Sequence, residues 1–338
     1  MMKAYVLGAM NGLDSWKMVE RETPQPGYGQ VLIRVHAVSL NYRDAMIASG
    51  LYPFPSPTAE MIPLSDGAGE VIAVGPGVRQ WQAGDRVAGI FSQSWQGGTQ
   101  PDDAWLTTLG GAVDGMLAEK VILDQAGLVR VPDMLSWEEA STLPCAAVTA
   151  WNALNGLTSL KAGETVLALG TGGVSVFAAQ FAAAAGARVI VTSSSDAKLE
   201  RAKAFGAHDV INYRTTPEWQ DEVRRLTGGR GVDRVIEVGG AGTIARSVAS
   251  VRPGGVVALM GLLAEGEPLD PAAILVAGAI VRGIMVGARE MFEDMNRAIE
   301  LNGIRPAIEH VYAFDDAKTA LADLVKGQHV GKLVIRVS

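Results

Sequence analysis

The chain has 338 residues, one cysteine, a formal net charge of -7 and a pI of about 5.2. That length suggests two domains with separate cores, and the acidic balance argues against general nucleic-acid binding. Membrane insertion is not expected either, because the longest apolar runs, 174–185 and 274–287, fall short of the roughly 20 residues a spanning helix needs.

Met1 to Leu7 is too short an apolar stretch for a secretory leader and reads as a strand of the mature protein. Up to about Ala147 the pattern is of short alternating segments broken by Gly and Pro. Gln30 to Val38, Glu70 to Val74 and Arg86 to Gly89 read as half-buried strands, with turns at Gly75-Pro76-Gly77 and Ala83-Gly84-Asp85. Phe91 to Asp114 shows no sustained period and is expected to be a long surface excursion. The single thiol, Cys145, excludes an intrachain disulfide and fits a reducing, cytoplasmic setting.

From Glu164 to Tyr213 the chain reads as strand, glycine turn, apolar helix and strand. Thr165 to Leu169 ends in Gly170-Thr171-Gly172-Gly173-Val174-Ser175. A helix is expected from Val174 to Ala185, and Arg188 to Thr192 returns as a parallel strand. A dinucleotide pyrophosphate can approach helix-terminal N–H groups only where no side chain intervenes, which nominates Gly170, Gly172, Gly173 and Val174. Ser175 stands where a third glycine would complete G-x-G-x-x-G. Further strands are expected at Asp209 to Ile211, Asp233 to Glu237 and Val256 to Met260, with a helix at Glu218 to Thr227. Ala273 to Gly287 is β-branched and apolar, and reads as strand at a sheet edge.

Several words in this order, Leu40-Asn41-Tyr42-Arg43-Asp44, Gly50-Leu51-Tyr52-Pro53, Asp66-Gly67-Ala68-Gly69-Glu70-Val71, Gly84-Asp85-Arg86-Val87, Leu143 to Trp151 and Gly331-Lys332, carry a resemblance that covers nearly the whole chain. The sequence resembles the zinc-independent, quinone oxidoreductase-like branch of the medium-chain dehydrogenase/reductase superfamily. The resemblance implies an α/β fold: a Rossmann doubly wound parallel sheet over 147–288, plus a GroES-like mainly-β catalytic domain formed by 1–146 and 289–338, with the active site in the cleft between them. It also implies a homodimer, or a tetramer of such dimers, joined at the sheet edge.

In zinc-bearing relatives the ligand positions match Asn41, Ser65 and Cys145, of which only the thiol could bind zinc tightly, so no metal is expected and Cys145 reads as a small buried residue. An NAD site places an acid against the ribose 2′-hydroxyl; that position is Ser193 here. Ser193 and Ser194 offer hydroxyls without repelling a 2′-phosphate, and Lys198 and Tyr213 match positions that hold it in NADPH-dependent relatives, so NADP(H) is expected. The serines and Lys198 also suit a capping cluster on a solvated helix. Thr149 matches a residue against the nicotinamide ring, and Lys332 a phosphate contact.

A zinc-free hydride transfer must still orient its acceptor and supply a proton, for which Asn41, Arg43 and Tyr52 are the candidates. Tyr52 matches the tyrosine assigned to proton donation or substrate positioning in enoyl-thioester reductases of the branch, and reads equally as a loop aromatic packed on Pro53 and Phe54. The function implied is reduction of a quinone, enone or related conjugated carbonyl. Reversible alcohol/ketone conversion and a cofactor-binding protein without turnover stay open.

Overall fold

The computed structural model describes residues 1–54 and 60–338. The chain divides into two compact units, one formed by Met1–Val148 with Gly287–Ser338 and the other by Thr149–Val286.

In the first unit β1 (Met2–Leu7) pairs antiparallel with β2 (Trp16–Arg21). Strands β3 (Gln30–Ser39), β4 (Asp66–Val74), β5 (Arg86–Gly89), β6 (Lys120–Asp124) and β7 (Leu128–Arg130) follow, with short helices α1 (Tyr42–Ala48) after β3 and α2 (Trp137–Ser141) after β7. The alternation expected of β3 holds only from Ile33 to Ala37, where Arg34 is exposed and His36 half-buried; Val31 to Ile33 and Ala37 to Ser39 are buried in succession, because β3 lies inside the sheet between β15, β4 and β6. The stretch from Phe91 to Asp114 departs from the surface excursion expected of it. Phe91, Trp95, Ala104 and Leu109 are buried, and Ser92 and Thr108 form an antiparallel bridge. Its burial comes from isolated apolar anchors spaced along irregular backbone, which leave no periodic trace.

The second unit begins in α3 (Val148–Asn155) and continues as β8 (Thr165–Leu169), α4 (Gly173–Ala184), β9 (Arg188–Ser193), α5 (Asp196–Lys203), β10 (Asp209–Asn212), α6 (Trp219–Leu226) and β11 (Val232–Glu237). It ends with α7 (Ile244–Ser250), β12 (Val251–Leu259), α8 (Pro271–Ala277) and β13 (Ile280–Gly283). The strands are parallel, in the order β10-β9-β8-β11-β12-β13. The order reverses between β8 and β11, so a ligand crevice belongs at the carboxyl ends of these two strands. All of β8 is buried, as a strand covered on both faces must be.

Ala273 to Gly287 is not the continuous strand its composition suggests. Asp270 accepts a hydrogen bond from the Ala272 N–H, Pro271 occupies the first helical position, and Gly278 at φ 60° ends the turn, so α8 forms. Local start and stop signals outweigh β-branched composition here. Only Ile280–Gly283 is strand, and it is the outermost one.

The chain returns to the first unit through α9 (Arg289–Asn302), β14 (Ile308–Ala313), α10 (Ala317–Lys326) and β15 (Lys332–Arg336). The sheet there runs β14-β15-β3-β4-β5-β7, with β6 also on β3. Val334 of β15 is registered opposite Ser39 of β3, which brings Lys332 to the start of α1.

Candidate active site

Site residues of the first unit gather where α1 begins. Asn41 precedes the helix, and its backbone N–H donates to Asp44 Oδ2 at 2.7 Å, satisfying one amide at the helix start. The Asn41 side chain is committed elsewhere: Lys332 Nζ donates to its Oδ1 at 2.6 Å and to the Leu40 carbonyl at 2.5 Å. Lys332 is buried, and its ammonium lies 3.8 Å from Asp66, which is fully buried. Asp66 also accepts from Ser65 Oγ at 2.7 Å and from the Cys145 N–H at 3.2 Å. Burial pushes the Asp66 carboxyl up, while the Lys332 charge and the Ser65 hydrogen bond oppose that rise. Lys332 is therefore drawn into a buried network with Asn41 and Asp66.

Asn41, Ser65 and Cys145 thus share one neighbourhood, but the donor set does not fit zinc. One thiol, one hydroxyl and one amide already bonded to an ammonium are poor ligands for that ion, which is held by thiolates, imidazoles and carboxylates. Among the described residues no group of three or more His, Cys, Asp or Glu side chains could hold a metal. Cys145 lies in a π-helical turn, Leu143–Ala147, and is half-buried among charged groups rather than part of the apolar core. Burial, and then the Asp66 charge, push its thiol well above the usual range, so it is a neutral thiol at physiological pH.

Arg43, one residue into α1, is buried and turns toward the aromatic side of the unit. Its Nε donates to Tyr52 Oη at 3.3 Å and its Nη1 to the Leu109 carbonyl at 2.9 Å. The guanidinium carbon lies 4.7 Å from the centroid of Phe91 and 5.1 Å from that of Tyr52. Tyr52 is half-buried, edge-on to Phe54 at 5.2 Å, and Phe54 stacks on Trp105 at 3.9 Å. Asp44 is buried with Oδ1 unpartnered among the described residues. Burial pushes its carboxyl up to about 6 against the pull of Arg43.

In the second unit the glycine turn has the openness a pyrophosphate needs. Gly170 takes φ 76°, and a Cβ added at Gly170 or Gly172 would meet no atom within 4 Å. Gly172 caps α4, whose first residues are Gly173 and Val174. Ser175, at the missing third glycine, is buried and donates from Oγ to the Leu169 carbonyl at 2.6 Å, so the hydroxyl tightens the strand-to-helix turn. These residues would hold a dinucleotide pyrophosphate at the amino terminus of α4. Ser193 ends β9 in register with Asn212, and the Tyr213 N–H donates to its carbonyl at 3.0 Å. Ser195 caps α5 by accepting from the Lys198 N–H. The nearest acid in sequence, Asp196, accepts from Asn212 Nδ2 at 2.7 Å. Ser193, Ser194, Lys198 and Tyr213 thus lie at the carboxyl ends of neighbouring strands or the helix start just beyond. Thr149 is buried in α3.

Two features escaped sequence reading. Glu237, fully buried at the end of β11, accepts from the N–H groups of Gly239 and Gly240 at 2.7 and 3.0 Å and from Thr243 Oγ1 at 2.6 Å; Ser247 Oγ donates to its other oxygen. It pins the turn beside the point where strand order reverses, and an acid followed closely by Gly239-Gly240 at a strand end was a usable signal. The second is the seat of Arg43, built from Phe91, Leu109 and Gly111, which had no periodic signal to betray it.

A doubly wound parallel sheet with a glycine turn at its switch point, joined to a mainly-β unit carrying a polar and aromatic site, defines a nicotinamide-dependent oxidoreductase architecture. The family model for the alcohol dehydrogenase GroES-like domain matches residues 27–133, and that for zinc-binding dehydrogenase matches 173–301. A zinc-type alcohol dehydrogenase-like protein of Schizosaccharomyces pombe is 44% identical over 337 residues, covering 97% of both chains. A quinone oxidoreductase structure from Pseudomonas syringae is 29% identical, with a TM-score of 0.83 and coverage of 100% of both chains. A mycobacterial protein solved with NADPH is 30% identical, with a TM-score of 0.84 and coverage of 100% of both. The chain belongs to the medium-chain dehydrogenase/reductase superfamily, in its quinone oxidoreductase-like branch.

Proposed function

We propose that the protein is an NADP(H)-dependent, zinc-independent oxidoreductase that reduces a quinone, an enone or a related conjugated carbonyl. The observation that carries this reading is the residue set at the start of α1: Asn41 supplies an amide bonded to Lys332, and Arg43 two residues on is bonded to the Tyr52 phenol. Bound cofactor supplies the hydride. The protein's own tasks are to anchor the pyrophosphate on the N–H groups of the 170–174 turn and to meet the 2′-phosphate with Ser193, Ser194, Lys198 and Tyr213. Thr149 would face the nicotinamide. Asn41 would hydrogen-bond the acceptor, and Tyr52 would protonate it.

No carboxylate stands at position 193 to repel a 2′-phosphate, which supports NADPH over NADH, and the NADPH complex of the mycobacterial relative points the same way. Comparison of kcat/KM for NADPH and NADH tests this, with Ser193→Asp and Lys198→Ala as controls. Each substitution should cut NADPH use about tenfold or more, a loss of about 1.4 kcal/mol, because the aspartate adds a charge that repels the 2′-phosphate and the alanine removes a cation that attracts it. A parent enzyme that prefers NADH would overturn the assignment. The name of the fission-yeast relative favours reversible alcohol/ketone conversion as a second reading, which the same site would serve in the opposite direction.

β13 lies at the sheet edge with Ile280 exposed, and α8 beside it exposes Leu275 and Val276. An apolar edge of this kind suits pairing with a second copy, which supports a homodimer or a tetramer of dimers. Cys145 as a lone, neutral thiol suits a cytoplasmic setting.

A further inference from the structure

We propose that Arg43 is a positioning residue that fixes Tyr52 as a hydrogen-bond donor and faces the phenolate left when its proton is given up, so that the first unit serves acceptors with an electron-rich oxygen, a carbonyl or quinone. The inference rests on the reading of Tyr52 as proton donor and adds what sets its direction.

A guanidinium has only N–H donors and stays charged at any pH the protein survives, so Arg43 Nε can only give a hydrogen bond to Tyr52 Oη. The phenol oxygen is then an acceptor toward Arg43, and its single proton must point to another partner. A neutral neighbour such as Asn or Gln could reverse roles; arginine cannot.

Arg43 is itself held in place. Nη1 donates to the Leu109 carbonyl at 2.9 Å, and the planar group lies over Phe91. Gly111 closes the seat: a Cβ there would fall 2.1 Å from Nη2, so any larger residue must displace the guanidinium. Among the described residues Nη2 is buried without a hydrogen-bond partner. The positive charge acts on Asp44 without a direct ion pair and faces Tyr52 through the Nε hydrogen bond. The other titratable groups that act on this pair are Asp44 and Cys145. Burial pushes the Tyr52 phenol up and Arg43 pulls against it, by its charge and by its hydrogen bond.

As the acceptor takes up a hydride, its C=O π pair moves to oxygen; the Tyr52 O–H bond breaks, a new O–H bond forms on the acceptor, and the phenolate left behind is faced by Arg43. A solvent proton then restores Tyr52. Arg43 stays protonated throughout.

The test uses the full-length protein with 3-fluorotyrosine at position 52, whose ionisation is followed by fluorine NMR, together with steady-state reduction of a quinone by NADPH. Arg43→Gln and Gly111→Ala should each move the position-52 titration upward by about one pH unit or more, because a charge some 3–5 Å away is lost or displaced. Arg43→Lys should retain part of the effect. The kcat of Arg43→Gln should fall on the order of tenfold or more with the NADPH KM unchanged, and Arg43→Gln in a Tyr52→Phe background should cost nothing further. An unmoved titration, or losses that add to those of Tyr52→Phe, would overturn the inference. A protein that shows the shift but reduces no acceptor would sink the oxidoreductase reading instead, leaving the Arg43–Tyr52 coupling established.

Discussion

Replacing Lys332 with Met isolates the most heavily buried charge interaction in the first unit. Methionine approximates the volume of the lysine stem but removes the ammonium that serves the Leu40 carbonyl, Asn41 Oδ1 and Asp66. Breaking a buried pair by removing one partner costs about 3–5 kcal/mol, because the remaining charge is left uncompensated. Asp66 would keep Ser65 Oγ at 2.7 Å and the Cys145 N–H at 3.2 Å, which places the expected loss near the lower bound, about 3 kcal/mol at pH 7. Asp66 is already raised by burial, and without Lys332 its folded-state pKa rises further above the unfolded value. A folded form that binds a proton more tightly than the unfolded form gains stability as pH falls, so the penalty should shrink toward acid pH. Urea unfolding followed by tryptophan fluorescence at neutral and mildly acid pH measures both effects. Asp66→Asn added to Lys332→Met should recover much of the loss, since no buried charge then lacks a partner. A loss under about 1 kcal/mol would refute this reasoning, as surface lysine substitutions cost no more than that. So would a variant of unchanged stability whose only defect is a raised KM for NADPH, the signature of a phosphate contact.

Asp44 supplies a pH prediction of the same sign. Its carboxyl is pushed up to about 6 from 3.8, so its stabilising protonated form is lost as pH rises through that window. Wild-type stability should fall relative to Asp44→Asn by up to about 3 kcal/mol between those limits, measured as the difference between their urea midpoints across pH. A constant difference would show that Asp44 titrates normally. Cys145 should alkylate slowly in the native protein at neutral pH and rapidly in urea, because its thiol is held neutral; equal rates would contradict that. Light scattering at micromolar concentration should give a dimeric or tetrameric mass, and Ile280→Lys should reduce it by placing a charge on the edge strand; a parent protein of strictly monomeric mass with full activity would exclude the edge as an interface.

The parts of the fold that were legible in the chain are those governed by local rules. β8, the glycine turn and α4 announce themselves because a buried strand, an open helix start and a nearly all-apolar helix each leave a compact signature. The 273–287 stretch departs from its expected strand where two local rules conflict: composition favours strand, but Asp270-Pro271 and Gly278 set the helix limits. Asn41, Arg43 and Tyr52 were visible as motif residues, yet their partners were not. Lys332 lies 291 positions from Asn41 and meets it through the pairing of β15 with β3, and Arg43 finds the Leu109 carbonyl through irregular backbone. Such contacts depend on register and loop path, which no sequence period encodes.

The central claim is that this chain moves hydride without a metal. The measurement closest to it is the rate of NADPH consumption by chelator-treated protein, its zinc content determined on the same sample, against a panel of quinones, enones, ketones and aldehydes. The account predicts turnover of at least one conjugated acceptor at well under one zinc per chain, unchanged by added zinc, and largely lost in Tyr52→Phe. Turnover that disappears with the metal and returns with one zinc per chain would contradict it.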